Sequence, residues 1–112
     1  MSPRDFVYVG HMLDVARKAV GKVQGISRQD YDADENLRLA LTHLIQTIGE
    51  AGRRVSREFC ESHPDIRWAD IIGMRHKVVH DYLGVDDDIV WQVVIDDLPP
   101  LVTSLEGLRL DT

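Results

Sequence analysis

Ile89-Val90-Trp91-Gln92-Val93-Val94-Ile95 is the stretch on which the fold class turns. Its β-branched and aromatic residues favour a strand, and propensity alone reads it as a buried one. Three aspartates, Asp86 to Asp88, stand before it as possible helix N-caps, and Val90 with Val94 and Trp91 with Leu98 fall at helical spacing. A single strand would have nothing to pair with if the rest of the chain is helical.

Downstream, Asp97-Leu98-Pro99-Pro100 reads as an N-cap followed by prolines in a first turn. Leu98, Leu101, Val102, Leu105 and Leu108 then trace a final amphipathic helix. At the other end, Ser2-Pro3 supplies a cap and a first-turn proline, and Phe6, Val9, Leu13, Ala16 and Val20 give a helix to about Val23. His11, on or beside that stripe, reads as a structural histidine. Gly21 and Gly25 end the helix, and Ser27 with Asp30 allows one short capped turn. From Asp34 to about Cys60 the positions Leu37, Leu41, Leu44, Ile48, Ala51 and Val55 share one face of a helix roughly 40 Å long. Gly49 and Gly52 inside it each cost about 1 kcal/mol against alanine, which signals close approach of another helix. Pro64 breaks the chain direction, after which Ile71, Ile72, Val78 and Val79 keep helical spacing until Gly84. The flanks thus predict about five helices in an all-α, up-and-down bundle, a single domain over residues 1–112.

Composition narrows the function. The net charge is −6 over 112 residues, with nine Lys/Arg against eight Asp/Glu up to residue 60 and four against eleven after it. Non-specific nucleic-acid binding is mostly phosphate neutralisation, so this balance excludes a general nucleic-acid binder and leaves room only for a local site; DNA is not expected as a partner. Arg53, Arg54 and Arg57 read as a solvated helix face. No apolar run approaches the roughly 20 residues of a membrane span, and the first five residues show no apolar core of a signal peptide. With one cysteine, Cys60, and no internal disulfide, the expectation is a cytoplasmic protein without membrane contact.

The polar chemistry gathers in Gly73-Met74-Arg75-His76-Lys77-Val78-Val79-His80-Asp81-Tyr82. Arginine holds two phosphate oxygens through its fork and never loses its charge, while histidine, titrating near pH 6.5, serves as acid or base near neutrality. Those roles suit acid–base chemistry at a phosphate: a base for an attacking hydroxyl, an acid for the leaving oxygen and a cation for the charge that builds between them. On a regular helix residues five apart diverge by about 140°, so Arg75 and His80 converge only if the helix distorts or two chains contribute. His76 and His80, four apart, could otherwise bind a metal with a third ligand from Asp81 or elsewhere, but no H-E-x-x-H is present, and no metal and no cofactor is expected. Cys60 lacks any neighbouring pattern of an activated nucleophile.

Arg75, His80 and Tyr82 together form R-x4-H-x-Y, which resembles the R-x4-6-H motif of HEPN-domain proteins and, with the tyrosine, their HepT-like branch. The stretches Ile48-Gly49-Glu50-Ala51 and His63-Pro64-Asp65-Ile66-Arg67-Trp68 are similar to that branch as well, although a proline is commoner where Arg67 stands. The resemblance selects a helix for residues 89–95. It implies the toxin half of a HepT/MntA toxin–antitoxin system, a metal-independent endoribonuclease whose composite site forms at a homodimer cleft. Arg75 and His80 would be catalytic and His76 and Tyr82 supporting. Tyr82 would be adenylylated, and so silenced, by an MntA-like minimal nucleotidyltransferase antitoxin. The competing expectation is a non-catalytic helical dimer that binds such a nucleotidyltransferase or a nucleotide.

Overall fold

The computed structural model describes residues 3–80 and 84–110, and among these the protein is helical apart from short turns and one two-residue ladder. α1 (Pro3–Lys22) begins on its proline, where a missing N–H costs nothing. Its buried face, Val9, Met12, Leu13, Ala16 and Ala19, packs on α3 and α7, while Phe6 and His11 stay exposed. Ser27 and Asp30 close a full capping box on α2 (Arg28–Ala33), with Ser27 Oγ accepting from the Asp30 N–H at 3.0 Å and the Asp30 carboxylate from the Ser27 N–H at 3.1 Å.

α3 (Glu35–Arg53) starts on an Asp34 cap, whose carboxylate accepts from the Leu37 N–H at 3.0 Å. It ends at Arg53, not near Cys60, and at about 28 Å is correspondingly shorter than expected. The break has a tertiary cause. The buried Asp5 carboxylate accepts from the Ser56 backbone N–H and from Ser56 Oγ, both at 2.8 Å. Ser56 Oγ in turn accepts from Phe59 N–H at 3.1 Å, so a fresh helix, α4 (Arg57–Ser62), begins there. Phe59 lies against His63 and, edge on, against Trp68, while Trp68 Nε1–H donates to the His63 carbonyl at 3.0 Å, setting the angle at which α5 departs.

α5 (Trp68–Val78) buries Trp68, Ile71, Met74 and Val78 and lies along α3. The expected close approach is made at Gly49 and Gly52. A Cβ on Gly49 would sit 3.3 Å from the Ile71 carbonyl oxygen, and one on Gly52 2.9 Å from Ile71 Cγ2. α5 does not run on to Gly84. It stops at Val78, the chain turns extended at Val79 (φ −118°, ψ 120°), and β1 (Val79–His80) pairs antiparallel with β2 (Gly84–Val85). Adjacent β-branched Val78 and Val79 favour that exit, and the Asp86 N–H takes the Val78 carbonyl at 2.7 Å, satisfying an acceptor the helix leaves open. Gly84 supplies the left-handed φ of +76° that closes the ladder.

Residues 89–95 are helical. α6 (Asp87–Gln92) is capped by Asp86, whose carboxylate accepts from the Ile89 N–H, and leads through a π turn (Val93–Asp97) straight into α7 (Leu98–Leu110). Val90, Val93, Val94 and Leu98 are fully buried at helical spacing, so tertiary burial overrides β propensity. Asp97 is accordingly not an N-cap. The Leu98 N–H bonds the Val93 carbonyl five residues back, and the widened turn lets Pro99 and Pro100 follow within one helical run. No helix of the described residues is long and apolar enough to cross a membrane.

Candidate active site

The last turn of α5 carries Arg75, His76 and Lys77, all exposed, while Met74 and Val78 point into the core. Three basic residues at a helix C-terminus are favoured by the carbonyl end of the helix dipole. Lys77 pairs with Asp97 of the π turn at 3.7 Å. Among the described residues nothing pairs with Arg75 or His76 through a side-chain hydrogen bond or salt bridge, so the Arg75 guanidinium faces solvent uncommitted. Behind it α3 comes close, since the Arg75 nitrogen lies 4.0 Å from where a Gly49 Cβ would stand.

His80 follows two residues after the helix ends, in extended backbone opposite Gly84. The 140° divergence of a continuous helix therefore does not apply, because α5 ends before His80. The same helix end removes the helical i, i+4 geometry of His76 and His80. The His80 side chain, Asp81 and Tyr82 lie outside the described residues, and so does the site role expected of Tyr82. Among the described residues no cluster of three or more His, Cys, Asp or Glu could hold a metal ion.

The far side of the turn is built from residues with no motif to announce them. Tyr31 is fully buried, its hydroxyl donates to the Asp87 carbonyl at 2.9 Å, and its ring lies 5.0 Å from that of Trp91. Burial above all, with the Asp87 carboxylate next, pushes the Tyr31 phenol up to about 12, so it stays a neutral donor. Arg38 pairs with Asp87 at 3.6 Å and Arg28 pairs with Asp88. Only the capping pair at Ser27 and Asp30 was legible here; the reach from α2 to α6 was not.

A groove of about 690 Å³ runs between α5 and the π turn with α7, lined by Asp65, Asp70, Met74, Lys77, Asp96 and Asp97 among others. It includes neither Arg75 nor His76, and its carboxylates outnumber its cations, so it is ill suited to phosphate. The family model described as ribonuclease HepT-like matches residues 12–108. The chain belongs to the HepT-like ribonuclease family.

Relatives of the HepT-like protein agree. A candidate RNase of Caldanaerobacter subterraneus is 35% identical over 90% of each chain. A Thermococcus cleftensis protein named as a probable ribonuclease HepT is 31% identical over 88% of this chain and 93% of its own. A candidate RNase of Methanocaldococcus jannaschii is 27% identical over 95% and 98%. No solved structure gives a significant match. In this HepT-like protein Cys60 is half-buried and its thiol is pushed up by burial and by Asp5, away from the thiolate a nucleophile needs.

Proposed function

We propose that this HepT-like protein is the toxin of a toxin–antitoxin pair and cleaves RNA without a metal, at a cleft shared by two copies of the chain. The observation that carries the reading is Arg75, an exposed cation with no side-chain partner among the described residues, on the last turn of a helix that ends two residues before His80. In the reaction His80 of one copy takes the proton of a 2′-hydroxyl, and that oxygen attacks the adjacent phosphorus. Arg75 holds the two non-bridging oxygens as negative charge builds on the phosphorane. The bond to the 5′-oxygen breaks, and that oxygen receives a proton from the second His80, leaving a 2′,3′-cyclic phosphate and a free 5′-hydroxyl. His76 supports the cleft as a further donor. Two copies double the local positive charge, which answers the repulsion expected of a net −6 chain.

Control falls to Tyr82, seven residues after Arg75. Adenylylation there by a minimal nucleotidyltransferase of the MntA kind would add bulk and a negative phosphate beside the cleft, blocking substrate by sterics and repulsion. Expression alone is expected to slow growth, and Arg75→Ala or His80→Ala to abolish the effect. Co-expression with the nucleotidyltransferase is expected to restore growth and to add the mass of one AMP, lost in Tyr82→Phe. Folded Arg75→Ala and His80→Ala proteins as toxic as the parent would refute the site.

A further inference from the structure

The acidic triplet Asp86-Asp87-Asp88 stands at the exit of the motif turn, where a phosphate-cleaving site could least tolerate it. Val85 is paired with Val79 and the Asp86 N–H with the Val78 carbonyl, so these carboxylates start within roughly a Debye length of the end of α5. Each carboxylate is spoken for. Asp86 caps α6 through the Ile89 N–H at 3.1 Å. Asp87 faces the Arg38 guanidinium at 3.6 Å, and Asp88 pairs with Arg28.

Both arginines are themselves held in place from the other side. Arg28 Nε–H donates to Asp32 at 2.8 Å, and Arg38 donates to the carbonyls of Tyr31, at 3.3 Å, and of Asp32. Two cations from α2 and α3 are thus delivered, in fixed positions, to two carboxylates that follow the catalytic turn. Exposed ion pairs of this kind add little to stability, so stability alone gives a weak reason for the arrangement. Their electrostatic effect on a nearby phosphate is another matter.

We infer that Arg28 and Arg38 are positioning residues of the ribonuclease site: Arg38 offsets Asp87, and Arg28, whose charge Asp32 shares, offsets part of Asp88, which allows an RNA phosphate to approach Arg75. The inference rests on the ribonuclease reading above. It makes substrate affinity, and not the chemical step, depend on two residues some forty positions from the motif.

The test measures kcat and KM on a short single-stranded RNA for the full-length wild type, Arg75→Ala, Arg38→Met, Arg38→Met/Asp87→Asn, Arg28→Met and Arg28→Met/Asp88→Asn. Each single arginine variant is expected to raise KM about two- to tenfold at low salt with kcat unchanged, the size of one uncompensated charge roughly 10 Å from a phosphate. The ratio to wild type should shrink towards one near 1 M salt, where the Debye length is about 3 Å. Each double variant should return KM to near the wild-type value. A purely structural brace would not be repaired by removing its second half, so double variants as impaired as the singles would overturn the inference. So would singles with unchanged KM, or a loss that persists at high salt. Failure of the underlying reading looks different: the wild type does not cleave, or Arg75→Ala cleaves as well as it does.

Discussion

Tyr31 shows how a residue without a motif comes to matter. Its ring is fully buried, and its hydroxyl reaches across to the Asp87 carbonyl, which α6 also uses within the helix, so Tyr31→Phe removes one of that acceptor's bonds at a cost of about 1 kcal/mol. The pH dependence has a definite sign. With the folded phenol at about 12 against an ordinary 10, the contribution is whole below pH 10 and is lost as pH rises through 12. Urea denaturation at several pH values should therefore show a stability advantage of wild type over Tyr31→Phe that is constant to pH 10 and shrinks above it; an advantage that grows instead would contradict the burial. In the sequence Tyr31 is one tyrosine of three, and its partner lies 56 residues away. Arg75 is the candidate that the sequence singles out, through its offset from His80 and the resemblance that offset carries. Arg28 and Arg38 are not legible there, since only folding brings them to Asp88 and Asp87.

At the level of elements, periodicity recovered the helices and failed at their ends. The apolar face of α3 continues through Val55, so nothing local marks the break; Asp5, 51 residues earlier, makes it by binding Ser56. Helical spacing likewise ran on through Val79, whereas α5 ends where the Asp86 N–H captures the Val78 carbonyl. Residues 89–95 could not be settled from propensity, because burial of Val90, Val93 and Val94 along one helical face, not backbone preference, makes them helical. The glycines were more informative. A valine at Gly49 would push on the backbone oxygens of Ile71 and Ile72, at 3.3 and 3.6 Å, which cannot rotate away. Gly49→Val is expected to destabilise by about 2–3 kcal/mol and, by displacing α5 and Arg75 with it, to lower cleavage by the surviving folded fraction. Gly10→Ala, in open space on α1, serves as the control and should gain up to about 1 kcal/mol with activity unchanged. Thermal melts and single-turnover rates on the two variants check both statements, and equal behaviour would refute the packing argument.

For the whole molecule the difficulty is charge: an acidic protein with eleven of its nineteen carboxylates after residue 60 is read as a nuclease. Much of that acidity is answered locally. Asp70 pairs with Arg67, Asp87 with Arg38, Asp88 with Arg28 and Asp97 with Lys77, whereas Arg75 has no side-chain partner among the described residues. The net figure therefore does not describe the Arg75 side chain, and a second copy placed against it would add a second such cation. Family membership says ribonuclease; Arg75 and His80 are proposed to do the cutting, without a metal. Cleavage of an end-labelled RNA by purified wild type, Arg75→Ala and His80→Ala in excess chelator tests it most directly. Wild type should cut to 2′,3′-cyclic phosphate ends, and each variant, still folded, should lose about a hundredfold or more. Cleavage that stops with the chelator, or variants that cut as fast as wild type, would contradict it.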